Sequence, residues 1–262
     1  MNKILRVRMN LTSMHREQSF ISEQVTQMLF GDEVEVLEDY GKWIKGKCLK
    51  DGYIGCTYKD YLGDFELPKP DYIVKDPIVL VRNESDGTEI LTRVLGGTKT
   101  NILDEDGEWV KIRASQDGWI PRGALRAYSD IPTEKTALRR MVCDNALSMI
   151  GVPYLWGGSS ACGIDCSGLA QWSYRTAGIS ILRDAHEQYQ EERKVEPPFL
   201  PGDLVFYFEE ENGVRRISHV SISLGGWVVI HSSRKYDGVY ISDVQNTPHL
   251  KNAYFGAARY IL

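Results

Sequence analysis

The segment GIDCSGLAQWSYRTAG, residues 163–178, begins with turn-forming residues and continues with the periodicity of an amphipathic helix. Three apolar residues share one face and are predicted to point into a core: Leu169, Trp172 and Ala177. Gly178 is suited to the C-terminal end of such a helix. Cys166 therefore lies in the first turn or just before it, where unpaired N–H groups and the helix dipole lower the pKa of a thiol. A buried structural cysteine is the common alternative for a single cysteine, so Cys166 needs partners to qualify as a nucleophile.

Two histidines flank a predicted β-hairpin in residues 217–232, which has glycines at 225 and 226. A thiol nucleophile needs an imidazole base, and that base needs an orienting group. A strict two-residue turn would place His219 and His231 on opposite faces of the hairpin. A three-residue loop would pair them directly, with Cβ atoms about 5 Å apart. The catalytic interpretation therefore requires an odd loop or a bulge, which glycine allows.

Five motifs surround these residues in chain order. They are PYLWGG (153–158), GIDCSGL (163–169), RDAHEQ (183–188), PGDLVFY (201–207), and the pair SHVSISLG and VIHSS within 218–233. Together they resemble the NlpC/P60 family of papain-like cysteine peptidases. The set covers most of the C-terminal domain, and five motifs in order are more specific than any one of them.

The resemblance implies a role for each matching residue. Cys166 would be the nucleophile, His219 the general base and acid, and His231 the polar group that orients His219. Tyr154 would assist the oxyanion or position the substrate. Asp165 and Ser167, on either side of the nucleophile, would contact the substrate peptide.

The rest of this domain, residues 133–262, is predicted to be α+β, with helices first and strands after. A helix is expected to begin near Pro132 and Thr133 and to end at residues 151–153. Its apolar stripe contains six residues: Leu138, Met141, Val142, Ala146, Met149 and Ile150.

An internal repeat precedes this domain, because residues 31–55 align with residues 97–121 at an offset of 66 without a gap. The eight identities include Trp43/Trp109 and three glycine pairs, and each copy contains an Asp-Gly hairpin signal before its last strand. The pattern predicts two small all-β barrels, residues 1–67 and 72–128, whose tryptophans lie in the cores. Both copies resemble the bacterial SH3 (SH3b) family.

The whole architecture resembles γ-D-glutamyl-L-diamino acid endopeptidases of the dipeptidyl-peptidase VI type. The resemblance implies hydrolysis of the γ-D-Glu–diamino acid amide bond in murein peptides with a free N-terminal L-Ala, during cytoplasmic cell-wall recycling. It also implies that the first SH3b domain packs on the catalytic domain and holds the free amine. Glu23 and Tyr58 are the candidates for this contact, and Tyr53 is nearly as good as Tyr58.

Composition limits the partners. The chain has 31 Lys+Arg against 36 Asp+Glu, a net charge of −5, and no basic run, so we expect no nucleic-acid or membrane partner. The N-terminal residues MNKILRVRMN lack the apolar core of a signal peptide, and five cysteines are typical of a reduced, cytoplasmic chain. Cys162 and Cys166 have a C-x₃-C spacing, but no second pair completes a zinc site, so we expect neither metal nor cofactor. The alternatives to an endopeptidase of cell-wall recycling are a secreted or wall-associated murein hydrolase and a non-catalytic peptidoglycan-binding protein.

Overall fold

The computed structural model describes residues 3–190 and 193–262, and the chain forms two compact units that divide between Ile131 and Pro132. The first unit consists of β-strands and short 3₁₀ turns, and the second combines helices with an antiparallel sheet. In the described ranges, no helix is both long and apolar enough to cross a membrane.

A seven-stranded antiparallel sheet in the order β3-β2-β6-β5-β4-β1-β7 forms the first part of the N-terminal unit. Its strands are β1 Ile4–Val7, β2 Leu11–His15, β3 Gln24–Leu29, β4 Glu33–Asp39, β5 Trp43–Cys48, β6 Ile54–Tyr58 and β7 Leu62–Gly63. Alternate residues of these strands point inward and build a small core that includes Val7, Met14, Met28, Val34 and Ile44.

A five-stranded sheet, β10-β9-β14-β13-β12, and a three-stranded sheet, β11-β8-β15, form the rest of this unit. The strands are β8 Tyr72–Val74, β9 Ile78–Arg82, β10 Ile90–Leu95, β11 Lys99–Thr100, β12 Ile102–Asp106, β13 Trp109–Ile112, β14 Gly118–Pro121 and β15 Leu125–Ala127. They enclose a separate core that includes Val81, Val94, Val110, Ile112 and Ile120.

The tryptophans of the repeat are not in these cores. Trp43 and Trp109 are only half-buried, whereas the next residues, Ile44 and Val110, are fully buried. The prediction of core tryptophans is therefore wrong, because neighbouring residues on a strand face opposite sides.

The repeat also conserves backbone geometry at two of its three glycine pairs. Gly31 and Gly97 both have φ between 80° and 90°, and Gly41 and Gly107 share positive φ. The third pair differs: Gly52 turns at φ 78°, whereas Gly118 starts β14 and faces the Arg82 carbonyl, 2.6 Å from the position of a Cβ. The Asp-Gly pair at residues 117 and 118 therefore does not form the predicted turn. Gly118 instead leaves space for the neighbouring strand β9.

The C-terminal unit contains a five-stranded antiparallel sheet in the order β21-β20-β19-β18-β22, with helices packed against it. Its elements are α1 Lys135–Leu147, β16 Ser159–Ser160, β17 Gly163–Ile164, α2 Cys166–Arg175, α3 Ala185–Gln188, β18 Leu204–Glu211, β19 Val214–Gly225, β20 Val228–Ser233, β21 Gly238–Asp243, α4 Pro248–Ala253 and β22 Tyr254–Ala258. This arrangement confirms the α+β prediction.

Helix α1 is shorter than its apolar stripe suggests. Glu134 caps its N-terminus by accepting hydrogen bonds from the backbone N–H groups of Thr136 and Ala137, at 2.8 and 2.7 Å. Val142, with Ala146, is fully buried as predicted, but Ile150 lies beyond the end of the helix and is 52% exposed. Met149, in the turn after the helix, is still fully buried as predicted, so the inward side of the stripe ends at Met149 and not at Ile150.

Candidate active site

Helix α2 begins at Cys166, and glycines determine how closely its first turn packs. A Cβ on Gly168 would lie 2.1 Å from the carbonyl oxygen of Gly158, and one on Gly158 would lie 2.3 Å from the carbonyl oxygen of Gly163. Real Cβ atoms do not approach backbone oxygen so closely. These glycines therefore allow the loop before α2 to lie directly against the turn that carries the cysteine.

Asp165 caps this helix and is part of a buried ion pair. Its Oδ1 accepts from Gly168 N at 2.7 Å, and its Oδ2 accepts from Gly157 N at 2.9 Å. The Arg183 guanidinium donates to both carboxylate oxygens, at 3.0 and 2.6 Å, and to Ser167 Oγ at 2.7 Å. Arg183 is only 1% exposed, so this network holds the residues on either side of Cys166 in one arrangement.

His219 and His231 lie on the same face of the β19–β20 hairpin, as the catalytic interpretation requires. Ile222 pairs with Ile230, and a bulge after Ser223 shifts the register so that Gly225 pairs with Val228. The imidazoles are therefore diagonal neighbours rather than directly opposite, and Nε2 of His219 lies 2.7 Å from Nδ1 of His231. The predicted bulge is confirmed. The predicted direct pairing is wrong, because the register places His231 opposite residue 221, two residues from His219.

A chain of hydrogen bonds links His219, His231 and Ser242, and one of the two tautomer arrangements that it allows suits a general base. Burial, with a smaller contribution from His219, lowers the pKa of His231 to about 2, so His231 is neutral. With its proton on Nε2, His231 donates to Ser242 Oγ at 3.1 Å and accepts from His219 at Nδ1. His219 then carries its proton on Nε2 and leaves Nδ1 able to accept a proton. The ring of Tyr240 packs on that of His231, with 4.4 Å between the ring centres.

The sulfur of Cys166 lies between helix α2 and strand β19. It interacts with the backbone N–H groups of Ser167 and of Val220, the residue after His219, and both contacts lower the thiol pKa. Burial acts in the opposite direction, is the largest influence, and raises the pKa of Cys166 to about 12; the Asp165 charge adds to it. The prediction that the helix terminus lowers this pKa is therefore wrong for the thiol taken alone, because desolvation outweighs the dipole.

Burial also lowers the pKa of His219, to about 4. Burial thus disfavours a charged Cys166 beside a neutral His219, and equally a charged His219 beside a neutral Cys166. Charge on Cys166 and charge on His219 are expected to form together, by transfer of one proton from Sγ to Nδ1.

Tyr154 lies beside the cysteine and is half-buried. Burial, followed by the charges of Cys166 and Asp165, raises its pKa to about 12, so the phenol is protonated at neutral pH. The guanidinium carbon of Arg234 lies 5.5 Å from its ring centre, and the arginine opposes this rise in the pKa. Since a guanidinium only donates, the Tyr154 hydroxyl proton remains available for a substrate oxygen.

The remaining predicted site residues have mixed surroundings. Asp165 and Ser167 are each 5% exposed and interact with Arg183, which leaves them little surface for a substrate. In the N-terminal unit, Glu23 pairs with Arg16 at 2.6 Å. Tyr58 belongs to an aromatic cluster with Phe20, Trp43 and Tyr61, with ring centres 5.3–5.8 Å away. Tyr53 packs against the barrel core. Contact of these residues with substrate stays a prediction.

Sequence reasoning missed three residues of this site. Arg183 lies in a quoted motif, but the buried ion pair with Asp165, 18 positions earlier, has no periodic signal. Ser242 is brought to His231 by the pairing of β20 with β21, and Arg234 follows β20 in a turn. Among the described residues, no group of three or more His, Cys, Asp or Glu side chains is arranged to hold a metal ion.

Comparison with known proteins gives the same outline. Residues 151–259 match the NlpC/P60 family, and residues 14–55 match the bacterial dipeptidyl-peptidase Sh3 domain. A relative named gamma-D-glutamyl-L-lysine dipeptidyl-peptidase from Bacillus cereus is 31% identical in an alignment of 256 positions that covers 90% of this chain and 75% of that protein. Dipeptidyl-peptidase 6 of Lysinibacillus sphaericus is 27% identical in an alignment of 242 positions that covers 85% of each chain.

A solved structure supports the fold over the whole chain. The crystal structure of an NlpC/P60 family protein from Bacillus cereus superposes with a TM-score of 0.85 and covers 99% of this chain and 100% of its own, at 23% identity. That likeness extends through both units. Together with the match at 31% identity, it shows that the chain belongs to the NlpC/P60 family, with an SH3 domain of the dipeptidyl-peptidase type preceding the peptidase domain.

Proposed function

We propose that this protein is a cysteine peptidase that hydrolyses the γ-D-Glu–diamino acid amide bond of murein peptides with a free N-terminal L-Ala. The observation that carries the proposal is that the sulfur of Cys166, at the start of helix α2, meets the backbone of Val220, the residue after His219, whose Nε2 lies 2.7 Å from Nδ1 of His231. The names of the relatives, which cover both the barrel region and the peptidase domain, support this substrate class.

The first step forms an acyl-enzyme. As Cys166 Sγ attacks the scissile carbonyl carbon, its proton passes to Nδ1 of His219, which is the free acceptor when the His219 proton is on Nε2. The His219 Nε2–H···His231 hydrogen bond holds the imidazole in the plane that this transfer needs. His231 stays neutral because of its burial, so it orients His219 but stabilises an imidazolium less than a carboxylate would.

Two donors are available for the negative oxygen that develops on the carbonyl carbon. One is the backbone N–H of Cys166 in the first turn of α2, where the helix dipole favours negative charge. The other is the Tyr154 hydroxyl, which stays protonated because burial raises its pKa to about 12. Fixed donors in a half-buried site need no reorganisation during the reaction.

Breakdown of the intermediate returns the proton. Protonated His219 donates to the nitrogen of the leaving diamino acid, and the C–N bond breaks to leave a thioester on Cys166. Water, deprotonated by the now neutral His219, then attacks the thioester and releases L-Ala-γ-D-Glu with regeneration of the thiol.

The free amine of the substrate would be recognised by the first SH3b domain, which we propose packs on the peptidase domain. Glu23 is the proposed partner of the ammonium, and Tyr58 would contact the N-terminal residue. Because Glu23 already pairs with Arg16, the ammonium would have to share or replace that contact. Glu23→Gln should raise KM for the free-amine peptide more than for its N-acetylated form.

Cytoplasmic recycling of murein peptides is the setting that we propose. All five cysteines are free thiols, and the nucleophile has to remain one. A reducing compartment preserves that state.

Hydrolysis of synthetic L-Ala-γ-D-Glu-L-Lys, followed by chromatography of the released L-Lys, tests the proposal. Wild-type protein and the matched control Cys162→Ala should release L-Lys between roughly pH 6 and 9, and Cys166→Ala should release none. Absence of turnover by the wild type throughout this range would instead indicate a non-catalytic binding protein. The diaminopimelate peptide, compared in parallel, determines which diamino acid is preferred.

Two further substrates separate free-peptide recycling from the action of a secreted or wall-associated hydrolase. N-acetylated tripeptide and intact murein should be cleaved much more slowly than the free-amine peptide. Equal rates on the free and acetylated peptides would contradict recognition of the amine.

A further inference from the structure

A cavity of about 350 Å³ lies within the N-terminal unit, where its lining residues fall between positions 6 and 113. This volume is typical of a pocket for a small organic molecule. Residues 31–33 and 49–50 of the first repeat form one wall, and residues 99–101 of the second repeat form another. Residues 67–70, in the linker between the repeats, form a third wall. The cavity is therefore built from three separate segments of the chain.

Hydrogen bonds hold the linker wall in place. Asn101 donates from its side-chain amide to the Lys69 carbonyl oxygen at 2.9 Å, and Arg6 donates to the Phe65 carbonyl oxygen at 2.7 Å. The two prolines of the linker restrict its backbone further. Binding of a ligand would therefore require little additional ordering of the chain.

The charged side chains that line the cavity are predominantly basic. Two carboxylates are among them, and both are already bound within the protein. Asp32 accepts from Lys50 Nζ at 3.2 Å and from the Leu29 N–H at 2.9 Å, and Glu33 accepts from Arg6 at 2.7 Å. Five basic side chains leave the lining with a formal charge of +3: Arg6, Lys50, Lys69, Lys99 and Arg113. A cavity with this balance of charge attracts anions.

Two further carboxylates lie beside the basic side chains but do not line the cavity. Glu66, whose side chain is 88% exposed, lies 3.3 Å from Arg6, and Asp117 lies 3.2 Å from Arg113 in a solvent-accessible pair. Ion pairs that are open to water are weak. They therefore do not prevent an anion in the cavity from sharing the two arginines.

Lys50 offers a donor that is largely shielded from water. Its side chain is 15% exposed, and Nζ donates to the Gln27 carbonyl oxygen at 2.8 Å and to Asp32. An ammonium group has three N–H donors, and the third has no partner within the part of the chain that the structure describes. A ligand oxygen in the cavity would supply that partner.

We infer that this cavity binds a small organic phosphate. A phosphate monoester carries a charge of about −1.5 to −2 at pH 7 and has three strong acceptor oxygens. The cations come from both repeats and from the linker, so they can meet different oxygens of one phosphate group. Lysine binds phosphate as a point charge, whereas a planar carboxylate is matched best by the fork of a single guanidinium.

The volume and the apolar part of the lining indicate that the ligand is larger than phosphate alone. Five heavy atoms fill less than half of the cavity, at about 30 Å³ for each water-sized group. Phe30, Leu49 and Leu67 also line it and provide apolar contacts for the organic part.

Calorimetric titration of the full-length protein with three related probes tests this assignment. Glucose 6-phosphate, glucuronate and glucose share one sugar ring and differ in the group at its sixth carbon, which is a phosphate ester, a carboxylate or a hydroxyl. Glucose 6-phosphate should bind at least about tenfold more tightly than glucuronate, and glucose should not bind. No binding of glucose 6-phosphate, or equal binding of glucose, would overturn the inference. Equal affinities for glucose 6-phosphate and glucuronate would overturn the assignment to phosphate.

Lys50→Gln and Lys69→Gln each remove one charge from a different wall. Binding of glucose 6-phosphate should weaken by about 10- to 100-fold in Lys50→Gln and by about tenfold in Lys69→Gln, because Lys69 is more exposed. Lys69→Gln also keeps the test valid if loss of the contact between Lys50 and Asp32 destabilises the unit. Lys45→Gln is the matched control, since Lys45 is an exposed lysine of the same unit that pairs with Glu38 outside the cavity. Its affinity should equal that of the wild type, and equal affinities of Lys69→Gln and Lys45→Gln would overturn the inference.

Discussion

The reactivity of Cys166 should depend on His219 more strongly than a thiol at a helix N-terminus would by itself. Burial raises the thiol pKa from an ordinary value of about 9 to about 12, so replacement of the base should leave Cys166 protonated. His219→Gln keeps a side chain of similar size and removes the imidazole that accepts the proton. The expected result is a large loss of reactivity toward a neutral disulfide such as 4,4′-dithiodipyridine.

The size of the loss follows from two opposing effects. Three pKa units reduce the thiolate fraction at pH 7 about 1000-fold, while the more basic thiolate is intrinsically more nucleophilic by about 20- to 30-fold, with a Brønsted coefficient of about 0.4–0.5. Cys166 in His219→Gln should therefore react about 30- to 50-fold more slowly than an ordinary thiol. Its rate should also rise about tenfold per pH unit between about pH 7 and 10, as the thiolate fraction does.

Peptide mass spectrometry of the mixed disulfides provides the assay, because it resolves Cys166 from Cys162. Cys162 is exposed and serves as the internal reference in every sample. Cys166 should react at least about 30- to 50-fold faster in the wild type than in His219→Gln, and the reaction rate of Cys162 should be the same in both proteins. If Cys166 of His219→Gln reacted at pH 7 as fast as Cys162, the helix terminus would dominate over burial and the reasoning would be refuted.

Gly168→Ala should abolish turnover and cost about 1–3 kcal/mol of stability or more, because the added methyl group would lie 2.1 Å from the Gly158 carbonyl oxygen. Gly123→Ala, with no atom within 4 Å of the added carbon, is its control, and equal melting temperatures of the two variants would contradict the packing argument. Acid should also destabilise the peptidase unit. In the native state His219 and His231 have pKa values of about 4 and about 2, whereas in the unfolded chain both have a pKa of about 6.5. As the pH falls below about 6.5, only the unfolded chain binds protons at these histidines, so the free energy of unfolding decreases. In urea unfolding between about pH 6.5 and 4, the free energy of unfolding should fall by up to about 1.4 kcal/mol per pH unit for each histidine. His231→Asn should remove one of these two contributions. If the dependence of the free energy of unfolding on pH were the same in this variant, a neutral, buried His231 would be contradicted.

Local chemistry explains why much of this protein could be predicted from its sequence. The inward positions of Leu169 and Trp172 follow from the helical period, and both are buried as expected. The glycine pairs 31/97 and 41/107 repeat in the sequence, and in the structure both members of each pair have positive φ, a conformation that glycine adopts readily. Such features depend on neighbours in the chain, so a short stretch of residues is enough to specify them.

The surroundings of the nucleophile could not be predicted in the same way. The sequence placed Cys166 correctly at the start of a helix, but the sign of its pKa shift depends on how completely strand β19 and the loop before α2 cover the sulfur. Arg183 meets Asp165 across 18 residues, and no local pattern encodes that contact. Desolvation and buried ion pairs are properties of packing in three dimensions.

By itself, then, the sequence determined the repeat in an all-β N-terminal unit, the helix that begins at Cys166, and the condition that the hairpin must contain an odd loop or a bulge. Only the tertiary structure decided that the bulge lies after Ser223 and makes His219 and His231 diagonal neighbours, 2.7 Å apart at their ring nitrogens. The physical reason is that side chains alternate between the two faces of a strand. A shift of one residue in pairing therefore decides which histidines share a face, and that shift is selected by packing of the whole sheet rather than by the residues of the turn.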